Sequence, residues 1–267
     1  MGEDRSLGRR AMATSRNSGP LYTTKVYHNQ VKQRLYELFA PRGGRLVDIG
    51  CGKGGDLHKW EHRRLRSVLG FDVNPSFIRE AEARRDSKPA MKTRVAFAQA
   101  DAFRDAIFAD GDEPFDAMSC MFCLHYASRD EASIHRAFQN ADAALKPGGF
   151  FFGVCADGDV IQRTGSVSND TVRIAIEPGS SGRWGHAYTF SLRDSIVSDH
   201  NVEFLTRPSD LIQVAAAYDL VPVSIDDCAH WKTADANAFP NLVGTHVQTP
   251  NERAVSAMYF VFAFVKK

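Results

Sequence analysis

Apolar residues recur along this chain in two alternating rhythms. In residues 26–40, VYHNQVKQRLYELFA, Val31, Leu35, Leu38 and Phe39 fall near helical spacing, and Pro41, Gly43 and Gly44 follow at once. That spacing predicts an amphipathic helix that stops before residue 41. Five short apolar runs come next: RLVDIG (45–50), SVLGFDV (67–73), RVAFAQAD (94–101), FDAMSCMF (115–122) and GFFFGVC (149–155). The stretches between the first two, the second and third, and the last two have helical character. Strands that alternate with helices predict an α/β fold, a parallel sheet with crossover helices.

The segment KPGG (146–149) reads as a turn that feeds the fifth strand. From Asp157 to Arg207 the pattern loosens around Gly165, Pro178, Gly179, Gly182 and Gly185, with strand candidates TVRIAIE (171–177) and HAYTFSL (186–192). Residues 157–207 are therefore expected to form an inserted β-rich segment. A helix near 208–218, a strand at LVPVSI (220–225) and a long strand at SAMYFVFAFVK (256–266) follow. Between those last two strands, residues 226–253 are polar and irregular, a long sheet-edge loop of the kind that often carries function.

Composition narrows the partners. With 33 basic against 32 acidic residues there is no global polycation, so any nucleic-acid site must be local. No apolar stretch reaches the roughly 18–20 residues of a membrane span, and the opening MGEDRSLGRRAMATSRNSGP lacks the apolar middle of a signal peptide. Residues 1–20 read as a flexible, solvated arm. Five cysteines, an odd number without a secretory context, predict reduced thiols. The CxxC of Cys120 and Cys123 has no second pair, so these read as structural cysteines and no metal site is expected.

Candidate chemistry is concentrated after the first strand, in LVDIGCGKGGDLH (46–58). Gly50, Gly52 and Gly55 satisfy GxGxxG between a strand and a helix, which admits a dinucleotide site. The flanking charges argue against one, because Asp48 and Asp56 would face a diphosphate with two carboxylates. They suit a cationic ligand such as S-adenosylmethionine, and DxGxG at the first strand end is the signature of Rossmann-like methyltransferases. Asp72 and Asp101 close the second and third strands, placed for a ribose and for an adenine amino group.

Longer strings carry a more specific resemblance. GCGKGGDLHKW (50–60), FCLHYA (122–127) and YFVFAF (259–264) resemble, in order, the messenger RNA cap (guanine-N7) methyltransferases, over roughly residues 26–265. The resemblance implies a Rossmann-like class I fold, a mostly parallel seven-stranded sheet flanked by helices, with residues 21–267 as the methyltransferase domain and 157–207 as its cap-side insertion. It implies donor contacts from Lys32, Asp48, Gly50, Gly52, Asp72 and Asp101, and positioning roles for Lys53, Asp56 and Glu203. It also implies that Asn29, Arg84, Phe122, His125, Tyr126, Phe190, Glu203 and Tyr259 bind the cap, with Glu203 reading guanine.

The reaction implied is methyl transfer from S-adenosylmethionine to N7 of the terminal guanosine of GpppN-capped RNA. Guanine N7 is an unprotonated lone pair, so in-line displacement needs alignment and electrostatics but no general base. The implied partners are capped RNA, other capping enzymes or the RNA polymerase II machinery; the implied setting is a monomer in the nucleus, or in the cytoplasm for a viral enzyme. His28, Gln30 and Ala156 depart from the family pattern, two in the first helix and one after the fifth strand. A small-molecule methyltransferase and a non-catalytic cap-binding module remain the alternatives.

Overall fold

The computed structural model describes residues 21–109, 111–169, 171–178, 182–192, 201–223 and 249–267. The proposed arm at 1–20, Cys228 and most of the loop at 226–253 lie outside the described residues. The first helix, α1 (Tyr22–Phe39), begins four residues before the apolar spacing places it and buries Tyr27, Val31, Leu35, Tyr36 and Phe39 along one stripe. Ala40 is already extended, as a residue before proline prefers.

The parallel strands are β1 (Arg45–Ile49), β2 (Ser67–Asp72), β3 (Arg94–Gln99), β4 (Phe115–Met121) and β5 (Leu145–Ala156). Helices α2 (Leu57–Arg63), α3 (Pro75–Asp86) and α4 (Glu131–Ala144) make the crossovers where helical character is predicted. An insertion follows: α5 (Gly158–Thr164), then β6 (Val167–Ser168), β7 (Val172–Ile176), β8 (Ala187–Leu192) and β9 (Asn201–Phe204). The chain closes with α6 (Pro208–Ala215), β10 (Leu220–Pro222), α7 (Pro250–Ser256) and β11 (Tyr259–Lys266).

The main sheet has seven strands in the order β10-β11-β5-β4-β1-β2-β3, and the insertion forms its own antiparallel sheet, β6-β7-β8-β9. Only β11 runs against the other strands of the main sheet, pairing antiparallel with β5 on one side and β10 on the other. Strand β11 shows why that sheet is buried on both faces: Tyr259, Val261 and Ala263 join the core under α1, whereas Phe260, Phe262 and Phe264 join the core under α4.

Three local differences from the sequence pattern have physical causes. KPGG lies within β5 as a bulge, because pairing jumps from Phe115 with Leu145 to Ala117 with Phe150 and Gly148 takes φ +77°. Helix α5 is nucleated by Asp157, whose carboxylate accepts from the Asp159 and Val160 N–H groups. Helix α7 starts with a capping box, Thr249 and Glu252, so the last strand begins at Tyr259 and not at residue 256.

Candidate functional site

The carboxyl ends of β1, β2 and β3 form one crevice. The chain leaves β1 through Gly50 and Gly52, at φ +70° and +52°. A Cβ on Gly50 would lie 2.4 Å from the Cys123 sulfur, so the turn excludes any side chain here. The N–H groups of Gly50 and Cys51 both donate to the Phe71 carbonyl. Asp72 accepts from the N–H of Gly52 at 2.8 Å and of Asn74 at 2.9 Å, which ties the glycine loop to the end of β2. Asp101 accepts from the Phe103 N–H at 3.0 Å and pairs with Arg129 at 3.3 Å. A cleft of about 400 Å³ lies over these strand ends, lined by Gly50, Asp72, Asp101, Tyr126, Arg129 and Asn201 among others.

Beside the cleft, the two acids flanking the loop have different fates. Asp48 is buried and accepts a hydrogen bond from Ser119. Burial and the neighbouring charge of Asp56 push its carboxyl up to about 7. Asp56 is also buried, which by itself would raise it, yet the ammonium groups of Lys32 and Lys59 outweigh burial and hold it at about 2. Lys32 Nζ donates to both Asp56 oxygens at 2.7 and 2.9 Å, and Lys59 Nζ donates to Asp56 Oδ1 at 2.7 Å. Asp56 thus serves two lysines, and of the two loop acids only Asp48 keeps an uncompensated carboxyl.

Lys59 Nζ also donates to Asn29 Oδ1 at 2.8 Å, and Asn29 Nδ2 donates to the Lys25 carbonyl. Both of these Asn29 bonds stay within α1 and α2. Successive helical residues point about 100° apart, and it is His28, one position earlier, whose ring meets Phe122 and Tyr259 at 5.1 and 5.2 Å. Its Nε2 is buried without a partner, and burial followed by the charge of Lys32 lowers the imidazole to about 3, so the ring is neutral. Lys53 pairs with Glu80 at 2.9 Å and sits over the Phe77 ring. Arg84 lies exposed in the last turn of α3 and makes no ion pair among the described residues.

The aromatic pocket draws on five segments. Phe122 leaves β4 at φ +58°, a left-handed conformation rare for a bulky residue, and a 3₁₀ turn at Leu124–Arg129 follows. The Phe122 ring packs edge-on to Tyr259 at 5.1 Å, and Phe190 approaches Tyr259 from β8 at 6.3 Å. Ala156 pairs with Tyr259 across the β5–β11 ladder, directly behind this cluster. Glu203, on β9 and buried, receives Tyr188 Oη on Oε2 at 2.7 Å and Asn201 Nδ2 on Oε1 at 3.0 Å. His125 Nε2 lies 3.5 Å from the same Oε1, and its ring contacts Tyr126 at 4.3 Å between centroids. Burial keeps His125 neutral against the opposing pull of Glu203. Burial and the Glu203 charge raise the phenols of Tyr126, Tyr188 and Tyr259.

The structure therefore gathers Phe122, His125, Tyr126, Phe190, Glu203 and Tyr259 into one pocket beside the crevice of Gly50, Asp72 and Asp101. It adds Ser119, Lys59, Arg129, Tyr188 and Asn201, which sequence reading assigns no role. Tyr188 was within reach of strand periodicity, since it lies two residues before Phe190 and so shares its face.

Residues 6–238 match the profile of the mRNA (guanine-N(7))-methyltransferase domain. The chain belongs to this family. The mRNA cap guanine-N(7) methyltransferase of Saccharomyces cerevisiae is 29% identical over 238 residues, covering 80% of this chain and 54% of the yeast protein. The Caenorhabditis elegans enzyme of that name is 33% identical over 186 residues, 63% of this chain and 49% of its own length. Mapped onto these two relatives, the chain spans about half of each protein. Among solved structures, the CcbJ methyltransferase of Streptomyces caelestis superposes with a TM-score of 0.60 at 14% identity, covering 90% of this chain and 89% of its own. An S-adenosylmethionine-dependent methyltransferase from Clostridium acetobutylicum gives 0.56 at 15% identity, with 98% and 99% covered. At such identities the likeness establishes the fold, the Rossmann-like methyltransferase architecture.

Proposed function

We propose that this family member transfers a methyl group from S-adenosylmethionine to N7 of the terminal guanosine of GpppN-capped mRNA, leaving m7GpppN and S-adenosylhomocysteine. The observation that carries the reading is the Glu203 carboxylate, held by Tyr188 and Asn201 among aromatic rings and next to a crevice of strand-end acids. A fixed carboxylate accepts from both guanine N1–H and the exocyclic amine, a pattern adenine does not offer. Phe122, Phe190 and Tyr259 supply ring faces and edges for the base.

The crevice fits the donor. Asp72 and Asp101 line a space wide enough for a nucleoside, and Gly50 lets backbone approach where a Cβ would clash. S-adenosylmethionine supplies an electrophilic methyl on a sulfonium. Asp72 accepts from the ribose hydroxyls and Asp101 from the adenine side, while Asp48 and the Lys32–Asp56 pair flank the amino-acid end. Lys53 and Arg84 offer positive charge to the triphosphate bridge.

The chain's chemistry suits a reaction without a general base. His125 and His28 are held neutral, and Tyr126, Tyr188 and Tyr259 hold their protons, so the pocket aligns N7 and leaves its proton inventory unchanged. We assign residues 157–207 to the cap side and residues 21–267 to one catalytic domain that works as a monomer in the nucleus, with capped RNA as its partner. Labelled donor incubated with GpppA-capped RNA should place label at guanine N7. Binding of capped RNA without turnover would make the chain a cap-binding module, and label transferred to small molecules but not to capped RNA would make it a small-molecule enzyme.

A further inference from the structure

Asn201 stands where the two pockets meet. It lines the crevice together with Tyr126, and its amide nitrogen donates to both the Tyr126 hydroxyl and Glu203 Oε1. Glu203 Oε2 is held from the other side by Tyr188. Among the described residues each carboxylate oxygen therefore accepts one hydrogen bond, which leaves a lone pair on each for a ligand.

The amide settles a competition. Without it, the Tyr126 phenol and the Glu203 carboxylate are natural partners for one another, and a phenol–carboxylate bond would turn Oε1 toward Tyr126. The two N–H bonds of one primary amide satisfy both oxygens at once. The Tyr126 proton is then left to donate toward the crevice, and the carboxylate plane stays fixed. Neither an aspartate nor a serine at this position has two N–H donors to give.

We propose that Asn201 is a specificity-determining positioning residue, one that sets the carboxylate plane of Glu203 and thereby the enzyme's preference for guanine over bases lacking the exocyclic amine. This rests on the function proposed above. An acceptor edge held in one plane rewards a ligand that offers two parallel donors and penalises one that offers a single donor. Inosine differs from guanine only by that amine.

The decisive measurement is the ratio of kcat/KM for GpppA-capped over IpppA-capped RNA in the wild type, Asn201→Ala and Asn201→Asp. The melting temperature of each variant reports on its fold. Asn201→Ala should cut kcat/KM for GpppA-capped RNA about tenfold and shrink the guanine preference at least about threefold. Asn201→Asp, nearly isosteric but placing a second carboxylate 3.0 Å from Glu203 Oε1, should shrink it further. General loosening of the pocket lowers both rates and leaves their ratio alone. A wild type that methylates guanine, with an unchanged ratio in both variants, overturns the role of Asn201. A wild type that methylates neither RNA overturns the proposed function itself.

Discussion

The crevice and the aromatic pocket adjoin, yet they are held in opposite ways. In the crevice, Asp72 and Asp101 sit at consecutive strand ends and are fixed by backbone N–H groups: Gly52 and Asn74 for one, Phe103 for the other. In the pocket, Glu203 is fixed among the described residues by side chains, Tyr188 and Asn201, and its walls come from α1, the turn after β4, β8, β9 and β11. The first site is set by the sheet itself. The second depends on an inserted sheet being docked in the right place.

The sharpest break should come from Gly50→Ala. The added methyl meets Cys123 sulfur at 2.4 Å on a backbone with φ +70°, so calorimetry should detect no S-adenosylhomocysteine binding, and the melting temperature should fall by several degrees, about 2–3 kcal/mol of stability. Glu203→Ala should spare the crevice. It should lower kcat/KM on capped RNA by roughly 100-fold with donor affinity within about twofold, and a collapse of donor binding would mean Glu203 belongs to the other pocket.

Asp72→Ala should do the reverse, weakening donor binding by about 2 kcal/mol or roughly 30-fold. A shift below about threefold would show that Asp72 serves only to hold the Gly52 N–H.

A further asymmetry is readable by pH. Asp48 is raised to about 7 by burial and by Asp56. Its folded value lies above its ordinary one, so its contribution to stability is complete below about pH 4 and is lost as pH rises through 7. A cationic donor prefers the ionised form, so donor affinity should rise about tenfold from pH 6 to pH 8, with proton release on binding. Asp48→Asn should flatten both the melting curve and the donor isotherm over this range. The smallest effect should be that of Arg129→Ala, about twofold in donor affinity, because its pair with Asp101 is partly solvated.

The same contrast decides what the sequence discloses. Asp48, Asp72 and Asp101 are legible because each ends an apolar run, and parallel pairing places those ends side by side. Lys59 was in plain view in GCGKGGDLHKW, but nothing local announces a lysine buried against Asp56. Tyr188 acts on Glu203 across the β8–β9 pairing and Asn201 from two residues earlier on β9, contacts that a short polar strand such as Asn201–Phe204 does not advertise. His28 escaped notice for a smaller reason, a single step around a helix from Asn29. Helix α7 had a readable signal in TPNE (249–252), a capping box followed by too short an apolar stretch to register as a helix.

Strand β11 lies between β5 and β10, and its first residue, Tyr259, closes the aromatic pocket. Synthesis proceeds from the amino end, so a nascent chain that has reached residue 240 already has every strand-end acid but not the strand that covers β5. Its sheet would present the apolar edge of Phe150–Ala156 unpaired. A ribosome stalled before residue 259 would therefore leave a product that lacks both this strand and the ring that closes the aromatic pocket, one suited to chaperone capture.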